Sequence, residues 1–420
     1  MRFYILRNWM LHNIPIKKRL INVCVAYLLF LMVEVRKHSL EEAARFSRLN
    51  KSQFSNFLKN HSKSAVYSLG ELSKNQAKKF SKALKNLKEI PFWKVVIIID
   101  ATIQNRSSKY TENAQKFNHG QGFVIGHQWT NIVLIINDMI MPLPPIPYHT
   151  KKYCRENNLE YKTEHELVIE YINDLNLNDY IGFHDPNEIV LIADSGYDDN
   201  NIQKAVDNKK WKFIIALKKT RSVKSENEYQ NTPKTKGWSQ IVTFFKNHRR
   251  LKWQTIRLTA NGNEKKRMDF RVRQVIGYLR HVGRVQLVCS EWKKRPDGRR
   301  KYLACNDIRT TARQILIGYR IRWSIELFHK EVKMHLGFED VATQSFDSVK
   351  AHVHWVYCAY ILLKAHPPGV PQNLKTVIEK QRRIKQIVDN KEKSRVLQQL
   401  TQFGGVERYK KQLREALKTA

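Results

Sequence analysis

Three acidic residues are distinguished by their surroundings. Asp100 follows the apolar run Val95 to Ile99, Asp194 follows the strand-like run Glu188 to Ala193, and Glu326 lies one helical turn beyond Arg322 in the stretch YRIRWSIELFHKEVK. The continuous β-branched and apolar character before each aspartate marks a strand buried on both faces. If two such strands lie side by side and parallel, their ends come within roughly 5 Å at the carboxyl edge of the sheet, where α/β folds place their sites. Two carboxylates that close repel, and a divalent cation between them relieves the repulsion. Hard oxygen ligands without thiolates or a histidine cluster favour Mg2+ or Mn2+ over zinc. Taken singly, each aspartate also suits the plainer task of capping the turn that follows it.

The glutamate needs a helix to aim it. A single helix is expected from about Thr310 to Leu336, with polar and apolar residues on separate faces. With Tyr319 at zero, about 100° per residue places Arg322 at about 300°, Lys333 at about 320° and Glu326 at about 340°. Ile317, Ile321, Ile325, Phe328 and Val332 fall opposite, so the helix has a dry back and a charged front. An ordinary solvated face gives the same separation. So does a metal-binding carboxylate set among phosphate-binding donors.

The surrounding elements divide the chain. Residues 1–90 read as a helical, DNA-binding region. In it Ser39 to Asn60 forms two short helices with a break around Arg48 to Asn50, a helix-turn-helix spacing that offers Lys51, Gln53, Ser55, Asn56 and Lys59 to DNA, with a plain helical hairpin as the alternative. The pattern turns to β at Phe92. Residues 91–220 then alternate strands (Val95 to Ile99, Phe123 to Ile136, Met139 to Leu143, Glu188 to Ala193, Lys212 to Leu217) with helices, which describes an α/β sheet with covering helices. Pro142, Pro144, Pro145 and Pro147 argue against regular pairing after Leu143. Residues 221–306 read as a β-rich insertion, residues 307–366 return to helix, and residues 367–420 form a basic helical tail.

Composition narrows the partners. The 75 Lys and Arg residues against 38 Asp and Glu give a net charge of +37, far beyond what solubility requires. The excess is spread along the chain rather than gathered in one amphipathic helix, which favours a long polyanion such as DNA or RNA over a membrane surface. With 42% hydrophobic residues the chain can bury a sizeable core, so wholesale disorder is excluded. Five scattered cysteines, with no C-x-x-C pair, suit a reducing cytoplasm. The apolar run Val23 to Val33 is too short to span a bilayer and lacks a cleavage pattern, so it is expected to be a buried helix.

The motif at 319–333 resembles the Y-x2-R-x3-E-x6-K signature of one branch of the DDE transposases of bacterial insertion sequences. Tyr319, Arg322, Glu326 and Lys333 fit its spacing, and DAT at Asp100 and ADSGYDD around Asp194 resemble that family's other acidic motifs. The resemblance runs from about Phe92 to Lys364. It implies an RNase H-like mixed sheet interrupted by a β-rich insertion, with Asp100, Asp194 and Glu326 holding two Mg2+ ions, and Mn2+ as a substitute. It also implies double-stranded DNA as partner, a homodimer in the DNA complex, and Arg322, Lys333 and Tyr319 on phosphates. In hairpin-forming relatives an insertion tryptophan stacks on a flipped base; Trp292 is the candidate here, with Trp238 and Trp253 as rivals and plain core packing open for all three. Close relatives often carry a second Asp where this chain has Ala101. Asp185, Asp198 and Asp199 could replace Asp194 only in another alignment, and His119, His127 and His149 lack ligand spacing. A nuclease that cuts without joining, or an inactive DNA-binding derivative, would share these features.

Overall fold

The structure is a computed structural model that describes residues 2–47, 49–82, 93–106, 110–119, 122–248, 250–260, 263–294, 299–402 and 404–418. Arg48, Phe92, the side chain of His119 and part of the basic stretch after Trp292 therefore lie outside the described residues. In chain order the helices are α1 (Arg2–Asn13), α2 (Ile21–Val33), α3 (Leu40–Ser47), α4 (Lys51–Asn60), α5 (Ser62–Ser81), α6 (Lys151–Glu156), α7 (Glu164–Asp174), α8 (Asn178–Ile181), α9 (Asn200–Asn208), α10 (Glu226–Asn231), α11 (Ile241–Asn247), α12 (Ala312–Ile321), α13 (Trp323–His335), α14 (Phe346–Lys364), α15 (Val377–Gln402) and α16 (Val406–Lys418). The strands are β1 (Val95–Asn105), β2 (Gln115–His119), β3 (Gly122–Ile136), β4 (Met139–Pro142), β5 (Ile146–Pro147), β6 (Ile189–Ala193), β7 (Lys212–Ala216), β8 (Ser222–Ser225), β9 (Ser239–Gln240), β10 (Gln254–Ala260), β11 (Asn263–Leu279), β12 (Gly283–Trp292) and β13 (Lys301–Cys305). They fall into two compact units, residues 1–72 with 331–420, and residues 73–330.

The first unit is helical. Its centre is α14, buried almost from end to end, with α2 and α4 packed on it. Trp355 stacks on Phe57 with ring centroids 5.4 Å apart, and the Tyr27 hydroxyl meets His352 Nδ1 at 2.7 Å. The apolar run Val23 to Val33 is the body of α2 and is buried here, as expected from its length. Among the described residues no helix is long and apolar enough to cross a membrane. Helices α3 and α4 are separate, and Lys51, Gln53, Ser55, Asn56 and Lys59 all lie on the exposed side of α4.

The second unit is built on one mixed sheet of 13 strands, β2-β3-β1-β6-β7-β13-β12-β11-β8-β9 with β4, β5 and β10 at its margins. This is the mixed α/β architecture anticipated, consistent with an RNase H-like fold. Strands β1, β6 and β7 are parallel neighbours and every residue of β6 is buried, which explains their unbroken apolar sequences. The strands of residues 221–306 continue the same sheet, because β13 pairs antiparallel with β7 and carries β12 and β11 outward.

Three details differ from the sequence expectation. Strand β1 does not stop at Asp100 but runs to Asn105, because antiparallel pairing with the long β3 continues after its parallel neighbour β6 has ended. Pro142 and Pro147 do take part in pairing, at β4 and β5, where they lie at the margin of the sheet and no second neighbour needs their missing N–H. The expected helix from Thr310 to Leu336 is two helices broken at Arg322. There the bonds from Arg322 N to Tyr319 O and from Ile325 N to Arg322 O span three residues instead of four, a local tightening that ends α12 and restarts the chain as α13.

Candidate active site

The register of β1 on β6 pairs Ile99 with Ala193, so Asp100 and Asp194 are the next residues on the two chains where their parallel pairing ends. Asp194 also caps the turn Ser195–Tyr197, its Oδ1 accepting from Gly196 N at 2.7 Å, while Asp100 Oδ1 accepts from Ala101 N at 3.1 Å. The capping role and the cluster role therefore coexist. Arg322, at the break between α12 and α13, reaches both remaining acids: its Nη1 lies 3.7 Å from Asp100 Oδ2 and its Nη2 donates to Glu326 Oε1.

Electrostatics report the crowding. Burial, followed by the negative charges of Asp194 and Glu326, pushes the Asp100 carboxyl up to about 7 against the opposing pull of Arg322. Among the described residues no three acidic, imidazole or thiol groups stand close enough to cage an ion as they are; the Arg322 guanidinium stands between two of the acids. The donor set nevertheless fits a hard divalent cation, since hard oxygens that raise one another's proton affinity are relieved by any cation.

Tyr319 and Lys333 fare differently. The Tyr319 ring has Lys301 Nζ 5.0 Å and the Arg322 guanidinium 5.7 Å from its centroid. Burial, and then the charges of Asp194 and Asp100, raise its hydroxyl above the usual range, with Arg322 opposing. Lys333 belongs to the helical unit, where its Nζ pairs with Glu339 Oε1 at 3.2 Å. Trp292 ends β12 opposite Phe270 and is 42% exposed. Of its rivals, Trp253 has the guanidiniums of Arg271, Arg273 and Arg300 between 4.4 and 5.4 Å from its ring, and Trp238 donates to Lys234 O and faces Lys224 Nζ.

The neighbouring acids are otherwise engaged. Asp198 is buried and accepts from Gln203 Nε2 and Lys218 N, Asp199 caps α9, and Asp185 caps the turn before β6. His127 Nε2 donates to Glu112 O, and His149 lies against Tyr153.

Several participants escaped sequence reasoning. Lys301, at the start of β13, feels Arg322, Glu326 and Asp194; loss of water and then Arg322 hold its ammonium below the usual range. Glu164, the first residue of α7, accepts from Gln128 Nε2 (2.6 Å), Thr130 Oγ1 (2.9 Å) and Tyr197 OH (2.7 Å), so one carboxylate ties β3 to the turn that bears Asp194. Asn131, opposite Asp100 in the β1–β3 register, meets His329 Nε2 at 2.9 Å and ties β3 to the helix of Glu326. The capping box Thr163–Glu166 marks the start of α7 in the sequence, but nothing there announces where Glu164 points. Trp323, next to Arg322, is 65% exposed.

No curated protein matches this sequence. Residues 91–362, which contain every acid of the cluster, match the family model of the transposase DDE domain, and the chain belongs to that family.

Proposed function

We propose that the chain cuts DNA at transposon ends and joins the freed 3′-hydroxyl to target DNA, with Asp100, Asp194 and Glu326 as its catalytic carboxylates. The observation that carries this reading is that two aspartates sit side by side where the parallel pairing of β1 and β6 ends, with Glu326 near enough to raise the proton affinity of Asp100.

The three carboxylates would hold two Mg2+ ions, which when bound supply the Lewis acidity that activates an attacking hydroxyl and stabilises the leaving oxygen. Mn2+ has the same hard-ligand preference. Arg322, exchanged from the carboxylates to a phosphate, offers planar paired donors to its non-bridging oxygens. Tyr319 donates one hydrogen bond to the same strand, and Lys333, exchanged from Glu339, adds a point charge. The parallel strands below are dry, so charge on the reacting phosphate is met by fixed groups rather than by water.

The exposed side of α4, within residues 1–90, and the basic segments 221–306 and 367–420 are the proposed grips on DNA around a core of residues 91–220 and 307–366. Trp292 would stack on a flipped base if the ends close as hairpins. Two copies would act together on paired ends, in the cytoplasm where DNA is accessible.

Single substitutions Asp100→Ala, Asp194→Ala and Glu326→Ala are expected to abolish Mg2+-dependent cleavage of DNA flanking the gene while leaving DNA affinity largely intact. Near-normal cleavage by any of the three removes that residue from the catalytic set. Cleavage by the native chain without joined products would identify a nuclease instead of a transposase.

A further inference from the structure

A polar cavity opens beside the sheet edge that bears the carboxylates. Strands β1, β6 and β7 are parallel neighbours in that order; the first two lead into Asp100 and Asp194, and β7 leads into the loop Leu217 to Arg221. That loop and the β11–β12 turn border a cavity of about 280 Å³ lined by Lys218, Thr220, Arg221, Ser222, Arg280 and His281, with Asp198 and Asn200 at its side. The turn is fixed by Arg221 N bonding to Lys218 O at 2.9 Å, and Arg280 N bonds to Ser222 O at 3.1 Å.

The charges in this cavity do not cancel. Asp198, its only acid, is satisfied from within by Gln203 Nε2 (3.1 Å), Lys218 N (2.8 Å) and Arg221 Nε (3.5 Å), and Arg221 is also held by Gln203 Oε1 at 2.7 Å. Lys218 and Arg280 are exposed and make no ion pair among the described residues. Two exposed cations beside two hydroxyls and a partly neutralised guanidinium leave the lining with an excess of positive charge and of donors over its one carboxylate, Asp198, and the Asn200 amide. Such a lining suits a phosphate, and the loop that forms one side of it follows β7, the strand next to the one that leads into Asp194.

We infer that this cavity binds a backbone phosphate of the DNA strand that reaches the carboxylates, with Lys218 and Arg280 as its principal donors. The inference rests on the proposed function and adds a fixed point for the strand beyond the reacting phosphate.

The test uses the full chain in chelator, so that no cleavage intervenes, and a fluorescent DNA duplex of mixed sequence titrated at several salt concentrations. Lys218→Ala and Arg280→Gln remove exposed side chains and should leave the melting temperature unchanged. Each is expected to weaken binding roughly fivefold at physiological salt and to make the plot of log affinity against log salt shallower by about 0.9. Lys210→Ala, at the opposite end of β7, is the control expected to change neither. Unchanged slopes in both variants, or an equal loss in the control, would overturn the inference while leaving the proposed function standing. A native chain that binds no duplex would overturn both. Binding of inorganic phosphate that is lost in the variants while the DNA slope stays the same would reassign the cavity to a small anion.

Discussion

At the scale of single residues, Asp194 is the most tightly constrained member of the cluster, because its carboxylate orientation depends on a neighbour with no side chain. Gly196 N donates to Asp194 Oδ1 at 2.7 Å, and a methyl group built on Gly196 would stand 2.9 Å from that same oxygen. The backbone at Gly196 is not in the left-handed region, so alanine is tolerated by the chain itself. Gly196→Ala is therefore expected to rotate the carboxylate out of place rather than to unfold the protein. Displacements of about 1 Å at a reacting centre cost up to roughly 100-fold in rate, so cleavage should fall by about 10- to 100-fold with the melting temperature almost unchanged. Equal cleavage in the variant would show that the orientation of Asp194 is not set by this turn. Asp100 is constrained by charge instead: its raised proton affinity reflects burial and two like charges, and Arg322 is the compensating cation that the fold itself supplies.

At the scale of elements, α7 deserves its own test, since it lies outside the motifs yet presents Glu164 to β3 and to the turn after β6. Hydrogen bonds to a charged group contribute about 1.5–3 kcal/mol each, though not additively. Glu164→Ala removes the common acceptor of Gln128, Thr130 and Tyr197, so a loss of at least about 2 kcal/mol in chemical denaturation is expected, together with slower cleavage and unchanged DNA affinity. Stability within error of the native chain would mean that these three donors find other acceptors. The same helix shows what the sequence could convey. Its start carries a local signal, the capping box of Thr163 and Glu166, and β6 was legible because burial on both faces leaves an unbroken apolar run. The acid cluster was legible because Asp100 and Asp194 follow such runs. What was not legible depends on partners distant in the chain. The extension of β1 to Asn105 is imposed by β3, the margin pairing of Pro142 by its place in the sheet, and the convergence of Lys301 and Glu164 on the site by tertiary packing. The break at Arg322 falls in a segment of uninterrupted helical periodicity with no proline, and the one nearby glycine, Gly318, lies inside α12 rather than at the break.

At the scale of the whole molecule, each of the two units answers to acid through a buried neutral histidine. His127 in the sheet unit lies on β3 with its Nε2 donating to Glu112 O, and burial first, then the charge of Arg106, hold it down at about 4. His354 in the helical unit lies within α14, its Nδ1 donating to Lys350 O; burial first, and also the charge of Lys350, hold it at about 4. In the unfolded chain both return to about 6.5. Between about 6.5 and 4 each therefore binds more protons in the unfolded state than in the folded one, and the sign of linkage makes its contribution to stability fall as the pH is lowered through that window. Above about 6.5 neither group contributes any slope. Each histidine can account for at most roughly 3 kcal/mol, from 1.36 kcal/mol per pH unit. Denaturation midpoints measured from pH 7.5 to 4.5 should decline in the helical unit, whereas in the sheet unit the Asp100 carboxyl, raised to about 7, acts with the opposite sign and offsets His127. Replacement by the uncharged His354→Gln should flatten the decline of the helical unit, and His127→Gln should make the sheet unit gain stability as the pH is lowered, each sparing the other unit. Because the histidines belong to different units, intrinsic tryptophan fluorescence can follow both transitions, with Trp129 buried in the sheet unit and Trp355 buried in the helical unit. A pH profile unchanged from the native chain in both variants would place the acid sensitivity on other groups, with the buried carboxyls of Asp198 and Asp207 already excluded by sign: burial raises both, so they favour the folded state as the pH falls.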